Sequence, residues 1–170
     1  MASLFLEDAQ IVQAIVPVDL ASADNTGDFV SLINYRRLLF VVSTGIGSAG
    51  NDIVIDANQA TAADGTGVKA LTKITRIHHK VGATAISAVG TFTEVEQTAA
   101  ASYDSVGIDE AENEALLVIE VNAEDLDTDN GFEWVRFDVA DVGTGAHLGS
   151  ALYILLDPRY SQATPPSAIA

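Results

Sequence analysis

The feature that most constrains this chain is the alternation across residues 123–160, AEDLDTDNGFEWVRFDVADVGTGAHLGSALYILLDPRY. Apolar and polar residues take turns there. The pattern breaks at an Asp/Asn/Gly cluster and again at Gly143-Thr144-Gly145, then resumes. A period of two is the signature of half-buried strands, and Gly, Asn and Asp supply the tight turns between them.

The rest of the chain repeats the pattern. Residues 10–20 (QIVQAIVPVDL) form a first strand, with Pro17 marking an edge or a strand end because it cannot donate to a ladder. Asn25-Thr26-Gly27-Asp28 is a turn. Residues 38–42 (LLFVV), 52–59, 116–121 (LLVIEV), 132–139 and 151–156 (ALYILL) are strands, with 45–50 and 60–67 as loops. Residues 70–80 also read as strand, because Thr and β-branched residues oppose a helix. Residues 91–96 alternate like a strand, and 111–117 add a helical turn inside an acidic connector at 103–114. Phe132, Trp134 and Arg136 share one face, with both aromatics expected in the core.

About eight or nine short strands and little helix imply an all-β, single-domain β-sandwich, jelly-roll-like, spanning residues 1–170. Residues 1–9 read as an arm. Residues 161–170, with Pro165-Pro166 and no periodicity, read as a tail that is mobile or docked on a neighbour. A chain of 170 residues can bury a core without staples. It has no cysteine, so disulfides, thiolate chemistry and Cys-based metal sites are excluded. The start lacks a positive n-region, which argues against a secretory leader, and no apolar run reaches the length of a membrane span.

The net charge is -16. Such a chain repels phosphate backbones, so no nucleic-acid partner is expected. The few cations gather at Arg36-Arg37 and among Lys69, Lys73, Arg76 and Lys80. A basic patch on an acidic protein suits an acidic partner or the acidic part of another copy, although solvated strand faces carry such charges too.

Four motifs invite a chemical reading. Gly45-Ile46-Gly47-Ser48-Ala49-Gly50 matches a dinucleotide fingerprint, but a strand follows it where that site needs a helix. Asp125, Asp127 and Asp129 have the alternate spacing of calcium ligands. Asn130 and Arg136 stand where a calcium loop needs Gly and a bidentate Glu. The competing reading is an Asp-rich turn bonding its own backbone. His78 and His79 point to opposite faces of a strand, and His147 lies in a glycine-rich loop, which gives no metal pair. No G-x-S-x-G elbow exists, and carboxylates are too abundant for any pair to stand out. An enzyme is not expected, nor is a cofactor.

NTGDFVSLINYRRLLFVV, a glycine loop and strand, then ATAADGTGVKALT, AEDLDTDNGFEWVRFDVADVGT and LGSALYILLDPRYSQATPPSAI together resemble small head proteins of tailed bacteriophages. The resemblance covers residues 12–169 and is weakest across 81–101. It implies a virion structural protein, a capsid decoration (cement) protein on the outer surface of the head. The implied partners are the major capsid protein and further copies of the chain, with a trimer favoured. It would be made in the host cytoplasm and need no membrane. The family pattern supplies no catalytic residues. Arg36, Arg37, Arg159 and Tyr160 are the expected capsid contacts, because cations are scarce and the tail is aperiodic. A head–tail connector or tail component is a second reading. A β-sandwich carbohydrate-binding module is a third.

Overall fold

A computed structural model of the protein describes residues 5–82, 90–108, 111–160 and 166–168. Two antiparallel sheets face each other, and buried residues from both form one hydrophobic cluster. The all-β sandwich expected from the alternation is what the chain adopts.

The first sheet has six strands. In chain order they are β1 (Ala9–Asp19), β4 (Tyr35–Thr44), β7 (Ile74–Val81), β8 (Thr93–Ala100), β10 (Ala115–Asn122) and β12 (Leu148–Pro158). In space they run β1-β12-β4-β10-β7-β8. The second sheet is built on β5 (Val54–Ala60) and β11 (Trp134–Val139). Short pieces extend it: β2 (Asn25–Thr26) and β3 (Val30–Ser31) beside β11, β6 (Lys69–Ala70) and β9 (Ser102–Asp104) beside β5. A single helical turn, α1 (Phe5–Asp8), leads into β1.

The core lies between the sheets. Phe40 of β4 and Phe137 of β11 stack with ring centroids 4.6 Å apart and planes 7° from parallel, and Tyr153 of β12 tilts against Phe40 at 5.6 Å. Offset contacts between rings favour this geometry over loose apolar filling. The Tyr153 hydroxyl accepts a hydrogen bond from the Phe137 backbone N–H at 2.9 Å, which ties the two sheets together with a polar contact. Burial pushes that hydroxyl's pKa well above the usual tyrosine range.

Several boundaries differ from the sequence reading. On β11 the inward residues are Val135, Phe137 and Val139. Trp134 and Arg136 face outward and half-buried, and Phe132 sits just before the strand in the same half-buried state. Parity decides this: Phe137 must meet Phe40, so residues one step away point out. The expected strand over 70–80 is split. Lys69–Ala70 pairs with β5 in the second sheet, and β7 starts at Ile74 in the first. The expected helical turn over 111–117 is absent. Residues 111–113 form a bend, and β10 begins at Ala115, because pairing with β4 and β7 outweighs the helix preference of Glu and Ala.

Pro17 lies on an edge strand, within the second of two register shifts of β1 against β12, between Ile15 and Val18. Of the tail, residues 166–168 rest on their own chain. Tyr35 donates its hydroxyl to the Pro166 carbonyl at 2.5 Å, Ser31 N–H bonds the Ala168 carbonyl at 2.9 Å, and Ala168 is buried. The remainder of 161–170 and the start of the arm lie outside the described residues. Among the described residues no helix is long and apolar enough to cross a membrane.

Candidate contact surfaces

The structure brings three of the four expected contact residues together. Arg36 and Arg37 open β4. Arg159 follows β12, whose Pro158 pairs with Tyr35, and the Arg159 backbone N–H bonds the Asn34 carbonyl at 2.8 Å. All three arginines line one groove of about 610 Å³, with Asn122, Thr128 and Asp157 among its other walls. Tyr160 is the next residue and is 69% exposed.

The arginines are not equivalent. Arg37 donates from Nε to Asp157 at 2.5 Å and lies 3.5 Å from Glu120, and the Asp157 bond holds its guanidinium pKa above the ordinary value. Asp157 reaches it from a left-handed backbone conformation, φ 55°. Such a conformation is uncommon for a residue other than glycine and re-aims the side chain at the strand end. Arg36 and Arg159 have no ion-pair partner among the described residues, so both guanidinium forks remain open to a carboxylate.

The three aspartates of the calcium-like spacing are turned to separate tasks. Asp125 accepts from the Asn122 backbone N–H at 2.8 Å. Asp127 pairs with Lys69 and accepts from Asn130 Nδ2 at 2.8 Å, and those contacts hold its carboxyl below the usual range. Lys69 also lies over the Phe132 ring, 3.9 Å from its centroid. Among the described residues no group of three His, Cys, Asp or Glu side chains converges on a point.

The glycine loop closes over a histidine. A Cβ on Gly47 would fall 2.7 Å from the His147 ring, so only glycine lets the loop lie there. His147 is fully buried, and neither ring nitrogen has a hydrogen-bond partner. Its backbone is held instead: His147 N–H donates to Asp19 Oδ1 at 2.8 Å, and its carbonyl accepts from Leu20. His78 points outward, 3.9 Å from Glu94, whereas Nδ1 of His79 is buried.

The second sheet's outer face is polar and tightly knit. Asp138 accepts from Gly27 N–H at 3.1 Å, Asn58 Nδ2 at 3.0 Å and Arg136 at 2.9 Å, and Arg136 lies over the Phe29 ring at 4.7 Å.

The outer face of the first sheet has a different character. Cross-strand register places Ile11, Ile154, Leu39 and Val118 on adjoining outward rows, with Leu152 and Val41 beside them. Ile11 and Leu152 are 45% and 38% exposed. Charge borders these residues: Glu120 of β10 stands opposite Leu39, and Arg76, His78, Lys80, Glu94 and Glu96 lie on the same side of β7 and β8. Arg37 meets Glu120 and Asp157 at one end. On the β7–β8 hairpin Arg76 meets Glu94 at 2.7 Å, with Glu96 near, and Lys80 lies over Phe92. Three cations thus stand against four carboxylates on a chain of net charge -16. The helical turn α1 packs beside β1 and β12. Sequence reading missed this surface. Its signal was present in LLFVV, LLVIEV and ALYILL, which are apolar at successive positions, as strands covered on both faces are.

No protein-family model and no curated protein matches the chain. Among solved structures it is similar to the SPBc2 prophage-derived protein YomS, at 12% sequence identity and a TM-score of 0.43, over 88% of this chain and 94% of that one.

Proposed function

We propose that this protein is a capsid decoration (cement) protein of a tailed-phage head, bridging major capsid subunits on the outer surface as a homo-oligomer. The observation that carries the reading is the groove of Arg36, Arg37 and Arg159, three of the eight Lys and Arg residues of an acidic chain drawn together from positions far apart in sequence. Arg36 and Arg159 would clamp carboxylates of the shell, with Arg37 held beside them by Asp157 and Tyr160 supplying an aromatic contact at the rim. The negative charge elsewhere keeps such a protein off packaged DNA and supports a place outside the shell. Attachment would add stability to the assembled head by mass action.

The test mixes purified protein with expanded shells of a tailed-phage major capsid protein from the same phage and measures co-sedimentation. Wild type is expected to co-sediment and to raise the melting temperature of the shells. Arg36→Glu/Arg159→Glu, which breaks no ion pair among the described residues, is expected to lose at least tenfold in affinity. Absence of binding by wild type, or full binding by the charge-reversed variant, ends the proposal.

A further inference from the structure

We infer that the arginine groove is one end of a longer cationic track, and that its occupant is an extended acidic segment of the partner with carboxylates at alternate residues. The inference rests on the shell-binding reading for the source of that segment. Three observations carry it. The first is continuity. A second groove of about 480 Å³ lies beside the first, walled by Lys73, Arg76, His78, Glu120 and Asp125, and Asn122 lines both. Across their boundary Arg37 of the first groove lies 3.5 Å from Glu120 of the second. Five of the eight Lys and Arg residues of the chain therefore line one track.

The second is availability. Lys73, like Arg36 and Arg159, is a cation with no ion-pair partner among the described residues. Most carboxylates in the walls are engaged. Asp157 and Glu120 answer Arg37, and Asp125 accepts from the Asn122 backbone N–H at 2.8 Å. Glu124 differs: it lines the first groove, is exposed, and has no ion-pair partner among the described residues. The open cations outnumber the open carboxylate on a chain whose net charge is -16. What complements them is a short run of negative charge.

The third is spacing. Arg159 follows β12, Arg36 lies in β4 and Lys73 leads into β7, and the sheet runs β12-β4-β10-β7 between them. Three strand spacings of about 4.8 Å make roughly 14 Å. In an extended chain alternate side chains point the same way at about 3.3 Å per residue, so carboxylates on the first, third and fifth residues span about 13 Å. The same five residues in a helix rise only about 6 Å. A phosphate backbone also repeats its charge, but it runs on past the track into the acidic remainder of the molecule, which repels it.

The experiment is fluorescence anisotropy on the full chain at low ionic strength. The probe is a labelled peptide Gly-Glu-Ser-Glu-Ser-Glu-Gly, beside Gly-Glu-Glu-Glu-Ser-Ser-Gly, which has the same charge in one block. Wild type is expected to bind the alternating peptide about threefold tighter than the block. Lys73→Glu is expected to lose about threefold in affinity for it, Arg36→Glu/Arg159→Glu about tenfold, and Glu124→Gln to gain about twofold. Unchanged affinity in a folded Lys73→Glu variant overturns the inference, as does a block peptide that binds equally well. Displacement of the peptide by an equal concentration of single-stranded oligonucleotide overturns it too, because the occupant is then a phosphate backbone. Shell co-sedimentation of the same proteins separates the track from the function it deepens. Shell binding without binding of either peptide overturns the track alone. Peptide binding without shell binding supports the track and overturns the shell as its partner.

Discussion

Tyr153 and His147 are both buried polar side chains with opposite consequences. The Tyr153 hydroxyl satisfies the Phe137 N–H between the sheets, and the His147 ring nitrogens satisfy nothing. Removing one partner of a buried bond strands the other, at a cost of about 1–3 kcal/mol, whereas removing an unpaired polar group carries no such penalty. Tyr153→Phe is expected to lower unfolding stability by about that amount, and His147→Leu to leave it unchanged or raise it. Urea unfolding of the two variants beside wild type checks both. Asp19 adds a pH dependence. His147 N–H first, and Ala21 N–H second, hold its carboxyl below the ordinary 3.8. A carboxyl with a depressed folded pKa contributes stability that is full above the ordinary value and lost as pH falls through the folded one. Asp19→Asn keeps an acceptor and loses the charge. It is expected to be less stable than wild type at neutral pH, with a shallower decline on acidification. Urea midpoints at pH 7 and pH 3 measure this. None of these roles was visible in sequence, since Asp19 and His147 are separated by almost the whole chain.

At the scale of elements, the hairpin β7–β8 ends the larger sheet, and β8 is its exposed edge. Glu94 and Glu96 stand there with Arg76 between them across the ladder. Exposed pairs of this kind are worth about 0–1 kcal/mol, so their service is to keep the unpaired edge from templating another chain. Glu94→Val/Glu96→Val is expected to unfold within about 1 kcal/mol of wild type and to aggregate faster on warming, measured by turbidity. Strand identity was legible where apolar runs were long: β4, β10, β11 and β12 lie where the alternation puts them. The segment over 70–80 was harder, because a turn after Ala70 hands the chain from one sheet to the other. Local periodicity carries no mark of which sheet a strand joins. Ala111–Leu117 misled for a related reason, since helix propensity acts within a segment and the ladders holding Ala115–Asn122 come from β4 and β7.

For the whole molecule, shell attachment and self-association respond to salt in opposite directions. Raising ionic strength from 0.01 to 0.15 M shortens the Debye length from about 30 Å to about 8 Å. Screening weakens a carboxylate clamp at Arg36 and Arg159, and it relieves repulsion between two copies at -16. Shell attachment is expected to weaken over that range while self-association strengthens. Co-sedimentation and light scattering across the same salt series measure the two. The sequence by itself determined the fold class, because a period of two with Gly/Asn/Asp turns leaves a strand few alternatives to a sandwich. It also marked the scarce arginines worth following. Only the tertiary structure decided that Arg36, Arg37 and Arg159 share a groove, that Trp134 looks outward and that Ile11, Leu152, Ile154, Leu39, Val41 and Val118 adjoin on the outer side of one sheet. Each of these depends on register between strands distant in sequence, and a one-residue change of register would have turned every one of those side chains to the other side.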